Sequence, residues 1–131
     1  MLLVHLVWAT ARRRPILEPA FDSTLLGIVT GRAQELGCSV VVAGCAADHL
    51  HAVVRVVPRV ALADLVQRLK GGSAYDANRH ALCPRPVYWQ EGYWAESVSP
   101  GDLTPLLRYV RGQRQHHDNS HPAERWQFSA E

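Results

Sequence analysis

Two histidines stand one residue apart in Asp48-His49-Leu50-His51, at the start of a run of β-branched and small apolar residues, Ala52-Val53-Val54-Arg55-Val56-Val57. In a strand, residues i and i+2 share a face. The spacing therefore sets the imidazoles of His49 and His51 side by side, with Leu50, Ala52, Val54 and Val56 on the opposite, core-forming face. Two imidazoles on a rigid strand are half of a metal site. The same pair also suits polar residues satisfied within a core, and the motif alone does not separate the two. Asp48 suits a carboxylate that orients a metal-binding imidazole, or one that shapes the start of the strand.

A second constellation lies in Leu106-Leu107-Arg108-Tyr109-Val110-Arg111-Gly112-Gln113. Thr104 as an N-cap hydroxyl and Pro105 at the first helical position predict a helix start. Leu106, Leu107 and Val110 form a narrow apolar stripe at helical spacing. Tyr109 falls off that stripe, and Gln113 lies one turn further along the tyrosine's own face. A phenol and an amide oxygen placed this way can serve a nucleophile and a metal; a tyrosine packed at the solvent edge of a helix has the same spacing. Gly112 weakens the helix by about 1 kcal/mol relative to alanine. A helix so thinly anchored is expected to move relative to the sheet.

These two segments need a scaffold, and 131 residues fit one domain with a core of its own. No stretch is long and apolar enough to span a membrane. The apolar start, Met1 to Trp8, lacks a basic region and a cleavage site and reads as a first strand rather than a signal peptide. Cys38, Cys45 and Cys83 are unevenly spaced and lack a CxxC pair, which suits a reducing cytoplasm and argues against a disulfide framework or a zinc ribbon. No GxxxxGK[ST] loop is present. The formal net charge is only +2, but Lys70 is the sole lysine. Arginines cluster at Arg12-Arg13-Arg14, at Arg68 beside Lys70, and at Arg108, Arg111 and Arg114. Guanidinium forks match phosphate oxygens, although an arginine-rich composition gives such clusters without a partner.

The predicted elements run as a strand over 2–10, a helix from Glu18-Pro19 to Leu36 stopped by Gly37, and strands over 39–44 and 49–57, the latter ended by Pro58. A second helix starts at Leu62 and continues toward Tyr75. A turn-rich link covers 79–86, and strand material follows at 87–89 and 93–98 around Glu91-Gly92. Strand, helix, strand, strand, helix, strand is the ferredoxin-like order of an α+β sandwich. Its antiparallel sheet carries both helices on one face, and the histidines face outward on the other, toward the C-terminal helix with the tyrosine. The tail, ending Trp126-Gln127-Phe128, is polar with an aromatic anchor suited to pack back on the body.

The ordered set His5-Leu6-Val7-Trp8-Ala9-Thr10, Asp48-His49-Leu50-His51, Trp89-Gln90-Glu91-Gly92-Tyr93, Ser97-Val98-Ser99, Tyr109-x-x-x-Gln113 and His116-His117 closely resembles the single-tyrosine HUH transposases of bacterial insertion sequences and REP-associated elements. The resemblance covers nearly the whole chain and implies one such domain over 1–131. Gly112 departs from it, standing where asparagine or another helix former is usual. The resemblance implies that Tyr109 attacks a phosphate of single-stranded or hairpin DNA, forms a 5′-phosphotyrosine and lets a second 3′-hydroxyl rejoin the strand. It implies a divalent ion, Mg²⁺ or Mn²⁺, on His49, His51 and Gln113, a mixed nitrogen and oxygen set unlike a thiolate zinc site. Beside a nicking motif, Arg12, Arg13, Arg14, Arg68, Lys70, Arg111 and Arg114 become candidate DNA contacts. The expected assembly is a homodimer in which the tyrosine helix of one subunit can serve the histidines of the other, acting in the cytoplasm at the nucleoid. His5 suits DNA recognition or packing; packing suits Trp8, Trp89, Tyr93 and Trp94 better, and His116 and His117 suit an exposed helix end. The competing expectation is a non-catalytic, domesticated domain of the same shape that binds single strands or hairpins, which needs neither the paired histidines nor the helical tyrosine.

Overall fold

The computed structural model describes residues 2–116; the tail, with His117, Trp126 and Phe128, lies outside the described residues. Strand β1 (Leu2–Ala9) leads through a 3₁₀ turn at Pro19–Phe21 into helix α1 (Asp22–Glu35). Strands β2 (Ser39–Cys45) and β3 (His49–Val56) follow, then helix α2 (Leu62–Arg79) and strand β4 (Trp94–Ser97). Helix α3 (Leu103–Arg111) and a single further turn, α4 (Gln113–His116), close the described chain. The four strands form one antiparallel sheet in the order β2-β3-β1-β4, which is the α+β sandwich expected.

Strand register sorts the side chains. Val4 pairs with Val54, Leu6 with Ala52 and Trp8 with Leu50 across β1 and β3. These residues pack with Leu25, Val29 and Ala33 of α1 and with Leu65, Val66 and Leu69 of α2 into the main core. The alternate residues point to the other face. There Val42 and Val53 bury Val110, with Leu103, Leu106, Leu107 and Tyr109 packed around them. The histidine face is thus turned away from α1 and α2, as expected, but it is not open. Helix α3 lies across it, and β3 is buried on both sides at every position except Arg55. An apolar stripe that looks narrow on the helix suffices because the valines opposite it are themselves flanked by strands.

The boundaries differ locally from expectation. Helix α3 begins at Leu103, after a 3₁₀ turn at Pro100–Asp102, rather than at a Thr104 cap. Pro105 sits within the first helical turn, where a backbone N–H has no intrahelical acceptor to lose. Gly112 does more than weaken the helix: it ends α3, and Gln113 starts the next turn. Helix α2 continues past Tyr75 to Arg79, with Gly72 lying beneath the Arg32 side chain, which is ion-paired with Asp76 at 2.7 Å. The 87–89 segment contributes only a bridge between Thr10 and Trp89.

One position governs how closely α3 approaches. Gly44 of β2 lies opposite His51, and a Cβ at Gly44 would run into the backbone carbonyl of Val110. Gly44→Ala should lift the end of α3 off the sheet, lowering stability by roughly 1–3 kcal/mol while leaving the α1/α2 core intact. Chemical denaturation combined with near-ultraviolet circular dichroism, which reports Tyr109 and Trp94, checks this outcome.

Candidate functional site

The site collects side chains from four elements. His49 and His51 come from β3, His5 from the neighbouring β1, Tyr109 from α3 and Gln113 from the turn after the Gly112 break. The ring centroids of His49 and His51 are 5.0 Å apart. The Tyr109 ring stands edge-on to His51 at 5.5 Å and 88°. Burial is nearly complete: His49 and Gln113 are 1% exposed and His51 is 0% exposed. The sequence-predicted nucleophile and its three candidate ligands therefore meet within a single chain.

Hydrogen bonds fix the imidazoles. His49 Nδ1–H donates to Asp48 Oδ1 at 2.8 Å, and Arg13 Nε donates to Asp48 Oδ2 at 3.0 Å. A carboxylate only accepts, so the His49 proton sits on Nδ1 and the lone pair on Nε2. Burial works to raise the Asp48 pKa, but hydrogen bonds from His49 and Arg13 and the guanidinium charge outweigh it and bring it to about 2. Arg13 reaches Asp48 from a strained loop: Arg12 and Arg13 both adopt left-handed backbone, with φ of 58° and 54°, a conformation costly for residues with a Cβ. On the other imidazole, His51 Nδ1 lies 2.9 Å from His5 Nε2. Trp94 closes that flank, edge-on to His5 at 5.1 Å.

Gln113 Nε2 donates to the Tyr109 carbonyl at 3.1 Å. Its donor end is thereby held, and Oε1 is the atom suited to a cation. The phenol of Tyr109 is pushed up by burial, with the Gln113 side chain pulling the other way; it is a neutral phenol near pH 7. Two imidazole nitrogens and one amide oxygen fit a divalent ion that tolerates mixed ligands. Among the described residues, no group of three or more His, Cys, Asp or Glu could hold a metal ion. An ion on His49 and His51 thus depends on Gln113 and on oxygens brought by substrate or water.

The arginines do not form three equivalent clusters. Arg12, Arg14 and Arg111 are exposed, and Arg13 is partly engaged by Asp48. Arg68 is exposed on α2, beside Glu35 of α1 at 3.6 Å, on the layer opposite the histidines. Lys70 is a different case: it is 6% exposed and donates to the carbonyls of Gln90 and Gly92, both at 2.9 Å. It pins a turn and is withdrawn from any surface. Arg114 donates to Asp22 Oδ1 and Oδ2 at 2.7 and 3.2 Å and to the Leu17 carbonyl at 2.9 Å. It ties α4 to the start of α1, so this end of the chain is better anchored than its apolar stripe suggests. Trp8 and Trp89 pack in the core, edge to face at 6.0 Å, whereas Trp94 flanks the site. Sequence reasoning gave no place in the site to Trp94 or Gly44 and left His5 open. Only strand register, which puts His5 diagonally beside His51, assigns it.

The four-stranded antiparallel sheet with its helices is shared with solved transposases. A transposase structure from Deinococcus radiodurans matches with a TM-score of 0.64 at 26% identity, covering 86% of this chain and 90% of that one. A REP-associated tyrosine transposase bound to a REP hairpin shares the fold with a TM-score of 0.64 at 13% identity, over 97% of this chain and 74% of that one. In sequence, the ISDra2 transposase TnpA of Deinococcus radiodurans is 26% identical over 115 residues, 83% of this chain and 81% of its relative. The family model of IS200-like transposases matches residues 1–113, and the chain belongs to that family.

His5 gives the site a pH signature. Burial lowers its pKa from 6.5 to about 4. The unfolded chain takes up this proton below pH 6.5, while the folded chain refuses it until about pH 4. His5 therefore costs nothing above pH 6.5, and stability falls as the pH drops through that window, by up to about 3 kcal/mol. Urea midpoints of the metal-free protein at pH 7.5 and pH 4.5 should show this loss, and His5→Phe should flatten it.

Proposed function

We propose that the chain cleaves and rejoins single-stranded DNA with Tyr109 as the nucleophile. The observation that carries this is the packing of the Tyr109 ring against His51, with Gln113 bonded back to the tyrosine backbone. The Tyr109 oxygen attacks a phosphodiester phosphorus, the bond from phosphorus to the 3′-oxygen breaks, and the departing oxygen takes up a proton as a 3′-hydroxyl. The 5′-phosphate stays on tyrosine as a phosphodiester. A second 3′-hydroxyl then attacks that phosphorus, and the tyrosine oxygen leaves and regains a proton. The bond count is unchanged throughout, which explains how rejoining proceeds without ATP.

His49 Nε2, His51 Nε2 and Gln113 Oε1 would hold Mg²⁺ or Mn²⁺. Bound there, such an ion draws charge from the phosphate oxygens as a Lewis acid. Asp48, steadied by Arg13, keeps His49 oriented. The packed valines under α3 hold the tyrosine ring in place, and the exposed Arg12, Arg14 and Arg111 grip phosphates of the strand. A hairpin is the favoured substrate form, because a REP hairpin is the ligand of the structural relative and because an attacked strand must bend into a site walled by α3.

The working form we propose is a homodimer. A single chain already sets its own Tyr109 against its own His51, so the site can form within one subunit, and a shared site would require α3 to leave its valines. Mixing His49→Ala chains with Tyr109→Phe chains separates the arrangements. Restored cleavage in demonstrated heterodimers shows sharing, and continued inactivity shows that each chain works alone.

Tyr109→Phe keeps the ring and its packing and removes the attacking oxygen. Labelled hairpin substrate should become covalently attached to wild type and not to this variant, with binding retained. An adduct mapping to Tyr93 or Tyr75 overturns the nucleophile. Binding without any adduct in wild type, with Mn²⁺ present, favours the non-catalytic alternative. Alanine at both His49 and His51 should abolish cleavage and Mn²⁺ binding. Because both rings are buried, it should also lower the melting temperature, so activity is compared below the reduced midpoint.

A further inference from the structure

We propose that His5 is a positioning residue that sets the tautomer of His51: His5 Nε2 accepts a hydrogen bond from His51 Nδ1–H, leaving the lone pair of His51 on Nε2. What concerns metal here rests on the function proposed above; the tautomer does not.

The contact is 2.9 Å, an ordinary hydrogen-bond length, and the two rings are inclined by only 23°. One proton lies between two imidazoles, so two directions exist. If His5 donated, His51 would carry its own proton on Nε2, and that nitrogen would have no lone pair for a cation. If His51 donates, its lone pair lies on Nε2, as that of His49 does with Nδ1–H bonded to the Asp48 carboxylate. Only the second direction makes the pair alike. The ring nitrogen that binds metal is set by the bond the other nitrogen makes, and such outer partners affect metal affinity strongly.

His5 is built to hold this role. It lies on β1, a central strand, and is 5% exposed. Trp94 closes against its ring, and the β1–β3 register fixes it diagonally to His51. Unlike Asp48, an imidazole acceptor orients its neighbour without adding negative charge. A second carboxylate here would repel the phosphate that must enter.

The test reads protons directly. Long-range nitrogen–proton correlation spectra of ¹⁵N-histidine protein, metal-free at pH 8, assign the tautomer of His51. Wild type should carry the proton on Nδ1. His5→Phe removes the acceptor, and His51 should shift toward the Nε2–H form. His5→Gln restores an acceptor oxygen close to the position of Nε2 and should restore the Nδ1–H form. Mn²⁺ affinity, measured by electron paramagnetic resonance, should fall about tenfold or more in His5→Phe and recover in His5→Gln. A wild-type His51 protonated on Nε2 overturns the proposal, as does a His5→Phe protein with unchanged tautomer and affinity. If wild type binds no Mn²⁺ at all, the metal assignment fails while the spectra still decide the role of His5. If His5→Phe does not fold, wild type and His5→Gln decide it.

Discussion

Burial of β3 on both faces is the constraint from which the site follows. One face of the strand is held by α1 and α2 through Leu50, Ala52, Val54 and Val56. The other is covered by α3, whose Val110 rests on Val42 and Val53. A strand gripped on both sides cannot slip, since a shift of one residue would exchange its two faces. His49 and His51 inherit that fixity. They are polar groups in a buried layer, and each keeps its place through a specific partner: Asp48 for one and His5 for the other. The absence of a side chain at Gly44 is what lets the helix backbone come close enough to close that layer.

The two orienting partners differ in charge. Asp48 stays ionised because Arg13 and His49 together outweigh the cost of burying it, whereas His5 is neutral across ordinary working pH because burial disfavours its charged form. One carboxylate and one neutral ring steady two imidazoles, with the carboxylate further balanced by an arginine. This leaves the floor of the site close to electrically neutral, which suits the phosphodiester of the proposed reaction.

Much of this was legible from spacing. The His49–His51 pair on one strand face and the Tyr109–Gln113 pair one turn apart each depend on a local period of two or of about four, and local periods survive into the fold. The order of strands and helices was legible for the same reason. What was not legible depended on register or on a third dimension. His5 becomes part of the site only when β1 pairs with β3 so that Val7 opposes His51. Lys70 looked like half of a basic patch beside Arg68, but helix α2 turns its ammonium inward to two carbonyls. Arg114 looked like a phosphate contact until Asp22, ninety-two residues earlier, was placed beside it. The expectation of a thinly anchored α3 judged the helix from its own stripe, without the valines on the strands beneath it.

The strained loop at Arg12–Arg13 ties two jobs into one stretch of backbone. Arg13 steadies the carboxylate behind His49, while Arg12 and Arg14 on either side of it face solvent. A graft over residues 11–14 that did not keep Arg13 would take the guanidinium away from Asp48 along with the exposed surface. In this chain the loop is not a detachable module, and change at its rim is confined to positions 12 and 14.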